Sequence, residues 1–273
     1  MIDGALTGKY DALGEYLSSL GSVAVAYSAG VDSTFLLRAA RDALGGGAVA
    51  VTVKHPAFPE RELGEARGFC RAEGIRQIVV SFDPLAVDGF SENPPDRCYI
   101  CKKAIFRRIV AVAAENGIRS VADGSNADDG NDYRPGMRAL SELGVISPLR
   151  AVGLTKAEIR ALSEKLGLPT WDKPSYACLA TRIPHGEEIT GEKLSMIGRA
   201  EDVLFGLGFR QSRVRCHGAV ARIELEDGDF EKMNDPGVRA EVAEKLKGIG
   251  FSFVSLDLCG YRAGNMNPRR PTK

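Results

Sequence analysis

The sequence predicts an α/β protein, a doubly wound parallel sheet followed by a smaller α+β domain. Three observations predict it. Short apolar, β-rich runs alternate with amphipathic stretches through the first 150 residues. A Gly- and Ser-rich loop follows the first of these runs, where open α/β sheets bind ligands. After Gly167 the alternation stops, and a polar, Pro-rich stretch leads into a different order of elements. With 273 residues, 44% hydrophobic and 26% charged, the chain is long enough to bury a core in each of two domains.

In chain order, strands are expected at 22–27, 48–53, 77–82, 120–122 and 145–148. Helices are expected at 33–44, 60–73, 101–116 and 156–166, where apolar residues recur at helical spacing. Thr155, followed three residues later by Glu158, predicts a capping box at the start of the last of these. Gly117 and Gly167 stand where a left-handed residue ends a helix. Residues 168–190 lack a period and read as a long loop. Beyond them the pattern predicts a helix at 192–207 and a strand pair at 211–216 and 219–225, turning at His217 and Gly218. A helix at 236–247 and a strand at 251–256 complete it. The expected organisation is a first domain over 1–168, a loop over 169–190 that carries part of the active site, and a small domain over 191–273.

Charge narrows the class of partner. Lys plus Arg equals Asp plus Glu at 36 each, so no global positive field gathers nucleic acid. The opening MIDGALTGKYDALGEYL carries acidic residues where a secretory signal would carry Lys or Arg, and no apolar run approaches the roughly 20 residues that span a bilayer. The expected location is the cytoplasm. Six cysteines are too few for a disulfide scaffold in a chain of this size, which makes close pairs candidates for metal ligands or reactive thiols.

The loop in AVAYSAGVDSTFLLRAARDALG, residues 24–45, joins the first strand to the first helix of the alternation. Free N–H groups and the positive dipole end at a helix start favour an anion, Gly30 permits close backbone approach, and Ser28 and Ser33 add hydroxyls. A phosphate is the expected guest. The loop lacks the Lys of the GxxxxGKS/T P-loop and the GxGxxG dinucleotide pattern. SAGVDS instead resembles the SGGxDS loop of the ATP pyrophosphatases, the PP-loop enzymes, which split ATP into AMP and pyrophosphate while adenylating a substrate oxygen. Ala29 stands where that loop usually has Gly, so either its backbone is ordinary or the position is strained. A second cluster, DGSNADDGNDYRPG at 123–136, follows the fourth expected strand, and its Asp123, Asp128, Asp129 and Asp132 are candidates to hold Mg²⁺ against phosphate.

Cys98 and Cys101 form a CxxC in DRCYICKKAIF, and Cys178 lies in the irregular loop. The spacing admits half a zinc site, a redox pair or part of an iron–sulfur ligand set. For zinc, Cys216, His217 or Cys259 would have to provide the fourth ligand. Arg97, Lys102, Lys103 and Arg182 would favour thiolates at the three cysteines. Cys70 and Cys259 read as small buried hydrophobes. Trp171 reads as a packing residue, His55, His185 and His217 as polar loop residues, and Arg213 and Arg215, by their alternation, as one solvated strand face.

Together SAGVDSTFLLRAA, RCYICKKAIF, DGSNADD, SPLRAVGLTKAEIR, WDKPSYACLATRIPHGEEIT and RVRCHGAVARIE resemble the LarE family of PP-loop sulfur transferases, over residues 10–260. The resemblance implies adenylation of a carboxylate of pyridinium-3,5-biscarboxylic acid mononucleotide, then displacement of AMP by sulfur to leave a thiocarboxylate on the way to a nickel-pincer cofactor. It implies ATP and Mg²⁺ at Ser28, Ala29, Gly30, Val31, Asp32, Ser33, Gly124 and Asp128, with Asp32 toward the metal. It implies substrate contacts from Thr181, Arg182, Glu201, Arg213 and Arg215, and a homo-oligomer, a hexamer, built through the smaller domain. Some members use one cysteine as a sacrificial sulfur donor, matching Cys178. Others hold a 4Fe–4S cluster on three cysteines, and because Cys98, Cys101 and Cys178 are all present the cluster version is favoured. Thiolation of tRNA, amidation by a related synthetase, or a nucleotide-binding module with structural zinc are the rival readings. Balanced charge speaks against the first, and amidation leaves the three cysteines without work.

Overall fold

A computed structural model of the chain describes residues 4–131, 135–174, 177–262 and 266. The expected Mg²⁺ ligand Asp132 therefore lies outside the described residues. The chain divides into two compact units, unit 1 over 1–84 and 98–176 and unit 2 over 85–97 and 177–273.

Unit 1 contains α1 (Gly4–Ser18), β1 (Val23–Ala26), α2 (Val31–Leu44), β2 (Ala48–Lys54), α3 (Glu60–Ala72) and β3 (Arg76–Ser81). It continues with α4 (Arg97–Glu115), β4 (Ser120–Ala122), α5 (Pro135–Glu142), α6 (Pro148–Ala151) and α7 (Lys156–Lys165). Its strands form one parallel sheet in the order β3-β2-β1-β4, the α/β architecture expected. Strands β1 and β2 are buried on both faces, which is why they read as unbroken runs of Val and Ala. Alternate residues feed two cores. Val23 and Val25 pack with Leu13, Leu17, Phe35, Leu36 and Ile159 of α1, α2 and α7, while Ala24, Val49 and Val51 pack with Phe106, Ile109 and Val112 of α4.

Because β1 lies between β2 and β4, the chain leaves β1 at the point where the strand order reverses. Ligands bind open α/β sheets at that crevice, outside the carboxyl ends of the strands. The loop after β1 and the loop after β4 both open there.

The capping box at Thr155 and Glu158 is present, and Gly117 and Gly167 adopt φ of 72° and 67°. The fifth expected strand is reduced to a single parallel bridge between Ala122 and Ile146. Pro148 follows two residues later, lacks an N–H for a ladder, and starts α6 instead.

Residue His55 follows β2 and is partly buried, with Nδ1 buried and without a partner among the described residues. Burial pushes its imidazole from an ordinary 6.5 down to about 4. Between those values the unfolded chain binds a proton that the folded chain refuses. The stability tied to His55 is therefore full above 6.5 and is lost as pH falls from 6.5 toward 4. His55→Asn is expected to flatten that part of the stability profile, as guanidinium unfolding across the interval would report.

Unit 2 contains α8 (Gly191–Gly206), β5 (Ser212–His217), β6 (Val220–Leu225), α9 (Phe230–Asn234), α10 (Pro236–Ile249) and β7 (Phe253–Leu256). Strands β5 and β6 pair antiparallel, and β7 joins β6 in parallel. Residues 85–97 belong to this unit, to which the Ser91 carbonyl, accepting the Ile189 N–H at 2.8 Å, and the fully buried Asn93 tie them. The Asn93 side-chain amide donates to the carbonyls of Ile183, Pro184 and Glu187 at 3.3, 2.7 and 3.0 Å, and its own carbonyl accepts the Gly186 N–H at 3.0 Å.

Candidate active site

The loop between β1 and α2 is held by its own hydroxyls. The Ser28 N–H donates to Ser33 Oγ at 3.3 Å, the two hydroxyls lie 3.2 Å apart, and Ser33 Oγ donates to the Gly30 carbonyl at 3.2 Å. Gly30 is the N-cap, extended at φ −83° and ψ 167°, and among the described residues no side chain caps α2. The first amide groups of α2 are thus left to an incoming acceptor, the arrangement that suits phosphate. Ala29 adopts φ 55° and is buried, so the substitution for Gly is carried as strain of about 1–2 kcal/mol in the left-handed region.

The loop after β4 presses against this turn. A Cβ added to Gly124 would stand 3.0 Å from Ser33 N and 3.3 Å from the Asp32 carbonyl carbon, so any larger residue pushes the start of α2 aside by a few tenths of an ångström. Gly124→Ala is expected to leave the fold intact and to weaken ATP binding by roughly tenfold or more, because it displaces the amides that face the phosphates. Calorimetric titration with ATP, alongside a thermal melt, checks this.

The acidic residues are engaged by the protein itself. Asp123 is buried and accepts hydrogen bonds from Ser125 at 2.5 Å and Ser147 at 2.6 Å, with Lys102 at 3.7 Å. Asp128 accepts the Lys156 N–H at 2.8 Å, and Asp129 the Asn126 N–H at 2.9 Å. Asp32 receives Lys156 Nζ at 2.6 Å and Asn126 Nδ2 at 3.4 Å. Within either unit no group of three His, Cys, Asp or Glu side chains that could hold a metal occurs among the described residues.

Lys156, Asn126 and Lys173 are the residues that the sequence reading missed. Lys156 carried one signal, its place directly after the Thr155 cap on a helix that starts at the sheet's ligand edge. Lys173 donates to the Ala29 carbonyl at 2.9 Å and to Glu65 at 2.5 Å.

All six cysteines are thiols. Helix α4 starts at Arg97, four residues ahead of expectation, so Cys98 and Cys101 share one face of its first turn. Cys98 is exposed and Cys101 partly so. Tyr99, between them, is tied to α5: its hydroxyl donates to Glu142 at 2.8 Å, Lys103 Nζ donates to Glu142 at 2.5 Å, and the Arg138 guanidinium lies 3.9 Å from the Tyr99 ring centre. Cys70 is buried, which pushes its thiol up to about 11, in keeping with a packing role. Cys216 is buried too, and its thiol is likewise raised by burial. Cys259 is exposed, contrary to expectation, in the turn after β7, where no layer of the described residues covers it.

Cys178, in unit 2, is exposed just before the turn Leu179–Arg182. Arg182 is 1% exposed and forms a two-pronged pair with Glu201, Nε to Oε1 at 2.8 Å and Nη2 to Oε2 at 3.0 Å. Its remaining nitrogen donates to the carbonyls of Ala177 at 2.8 Å and Cys178 at 3.3 Å and to Thr181 Oγ1 at 2.9 Å. This fixes the backbone that presents Cys178.

Arg213 and Arg215 are buried, which overturns the reading of them as a solvated face. Arg213 donates to Gln211 and to the Ser212 carbonyl, and its guanidinium lies 4.8 Å from the Tyr261 ring centre. Arg215 pairs with Glu224 at 2.7 Å and donates to the Thr181 carbonyl at 3.1 Å, while its Nε is buried without a partner among the described residues. Burial, with the nearby Arg182 charge, pulls Arg213 below the ordinary arginine range. Arg182 and Arg215 are matched by the carboxylates of Glu201 and Glu224, and guanidinium forks of this kind also suit phosphate.

No protein-family model matches the chain. It is 40% identical to an uncharacterised protein of Synechocystis sp. over 96% of its length and 98% of that relative. It is 38% identical to the pyridinium-3,5-bisthiocarboxylic acid mononucleotide synthase of Lactiplantibacillus plantarum, over 92% of its length and 91% of that enzyme. At 28% identity, 55% of the chain matches 38% of the argininosuccinate synthase of Haloarcula marismortui, a more distant likeness. On this coverage and identity the chain belongs to the LarE family, that of the pyridinium-3,5-bisthiocarboxylic acid mononucleotide synthase.

Proposed function

We propose that the chain is an ATP-dependent sulfur transferase acting on pyridinium-3,5-biscarboxylic acid mononucleotide. Membership of the LarE family supports the substrate. The observation that carries the nucleotide half is the uncapped start of α2 at the switch point, closed from the β4 side by Gly124. Ser28, Gly30, Val31 and Ser33 hold the phosphates through amides and hydroxyls, and Ala29 shapes the turn. Mg²⁺, when bound, spreads the phosphate charge, and Asp32, once Lys156 moves off it, would offer a hard oxygen ligand of the kind it prefers, with Asp128 on the same lysine's backbone N–H.

The reaction converts a poor leaving group into a good one. A substrate carboxylate oxygen attacks the α-phosphorus of ATP, and pyrophosphate leaves. Sulfur then attacks the acyl carbon, the bond from carbon to the bridging oxygen breaks, and AMP departs with that oxygen. In unit 2, Arg213, Arg215 and Thr181 are assigned to the mononucleotide phosphate, with Arg182 and Glu201 holding them and Cys178 in place. A 4Fe–4S cluster, when bound, supplies an open iron able to carry sulfide. Two exposed or half-exposed thiols one turn apart on α4, and an exposed third at Cys178, are the donor set it needs.

The cytoplasm is the proposed compartment, supported by six thiols, and among the described residues no helix is long and apolar enough to cross a membrane. The proposed homo-oligomer, a hexamer, forms through unit 2, where Phe253 and Leu258 stand 67% and 90% exposed.

The test is to incubate anaerobically reconstituted protein with ATP, Mg²⁺ and a sulfide source, offering the mononucleotide or unmodified tRNA. Mass spectrometry is expected to find sulfur on the mononucleotide and Cys178 intact. Thiolated tRNA would overturn the substrate. A colourless, iron-free protein that thiolates once and converts Cys178 to dehydroalanine would replace the cluster by sacrificial donation.

A further inference from the structure

We propose that Lys173 supplies the cation that the nucleotide loop itself lacks, moving from the Ala29 carbonyl to the terminal phosphates when ATP binds. This rests on the nucleotide reading above and deepens it. From Ser28 to Ser33 the loop carries no Lys or Arg, and its one charge, Asp32, is negative. Helix-start amides supply only about half a unit of positive charge, far less than the terminal phosphates of ATP carry. Beyond the Mg²⁺ that accompanies ATP, any further cation must come from elsewhere in the chain.

Two lysines from distant positions reach the loop. Lys156 Nζ sits on Asp32 at 2.6 Å and cancels that carboxylate. Lys173 Nζ instead sits on a backbone carbonyl of the loop at 2.9 Å, and its side chain is only 11% exposed. Its carboxylate partner, Glu65 at 2.5 Å, is 41% exposed and so is readily hydrated when the ammonium leaves. The carbonyl it holds belongs to Ala29, the only non-glycine residue of unit 1 with positive φ among the described residues, two positions before α2 begins. A flexible, nearly buried ammonium placed beside the start of an uncapped helix is within side-chain rotation of an anion bound there. A lysine that served only to brace the strained turn would respond to substitution differently.

The experiment measures ATP and AMP binding to the full chain by calorimetry, for wild type, Lys173→Gln, Lys173→Arg and Glu65→Gln, with thermal melts as a check on folding. Lys173→Gln is expected to weaken ATP roughly tenfold or more, the scale of one charge-assisted contact, and AMP by less than about twofold, since AMP lacks the terminal phosphates. Lys173→Arg is expected to retain part of the ATP affinity. Glu65→Gln releases the ammonium and is expected to keep or raise it. Equal losses for ATP and AMP in Lys173→Gln, or a matching loss in Glu65→Gln, would make Lys173 a brace and overturn the inference. Should Lys173→Gln fail to fold, Lys173→Arg and Glu65→Gln still decide. A wild-type chain that binds no ATP would overturn the nucleotide reading together with this one.

Discussion

Arg182→Ala is expected to destabilise unit 2 by about 3–5 kcal/mol, the cost of breaking a buried ion pair from one side. The guanidinium and the Glu201 carboxylate are 1% and 7% exposed, so the substitution strands a charge that water cannot reach. Glu201 also accepts the Val214 N–H at 3.1 Å, so a shift of its carboxylate would propagate into β5. Denaturant unfolding checks the size. Removing both charges, as Arg182→Met with Glu201→Leu, is expected to recover part of the loss, because no charge is then stranded, although the Val214 N–H and the Ala177 carbonyl lose their partners. Recovery of stability need not restore activity: the same arginine holds the carbonyls of Ala177 and Cys178.

Cys178→Ala is expected to reduce thiolation of the mononucleotide to background while leaving ATP affinity within about twofold, since the phosphates are assigned to the amides and hydroxyls of the loop after β1 and not to the thiols. Cys98→Ala and Cys101→Ala are expected to do the same. Cys259→Ser serves as the control, being an exposed thiol outside the proposed set, and should keep full activity. Thiolation and ATP affinity measured on one preparation would separate these outcomes. Activity surviving in Cys98→Ala and Cys101→Ala but not in Cys178→Ala would select sacrificial donation.

Strands β1 and β2 were legible because central parallel strands are apolar on both faces, and α7 because a capping box is a local signal. Helix α1 was not, since Gly4, Gly8 and Gly14 dilute its pattern and its place is set by packing Leu13 and Leu17 against α2. Residues 85–97 are tied to unit 2 by hydrogen bonds of Ser91 and Asn93 across some ninety residues, which no window contains. The site divides the same way. SAGVDS and the CxxC announce themselves by spacing. Lys156 and Lys173 reach the loop across 124 and 144 residues, and a lysine looks the same in a sequence whatever it touches. Arg213 and Arg215 alternate as a solvated face would, and only burial by Tyr261, Glu224 and the Thr181 turn distinguishes them.

The most direct test of adenylation uses mononucleotide labelled with ¹⁸O in its carboxylates, followed by mass analysis of the released nucleotide. If the carboxylate attacks the α-phosphorus and sulfur later expels AMP, each thiolation delivers one labelled oxygen to AMP and none to pyrophosphate. Unlabelled AMP, or ADP with inorganic phosphate as the products, would contradict the account.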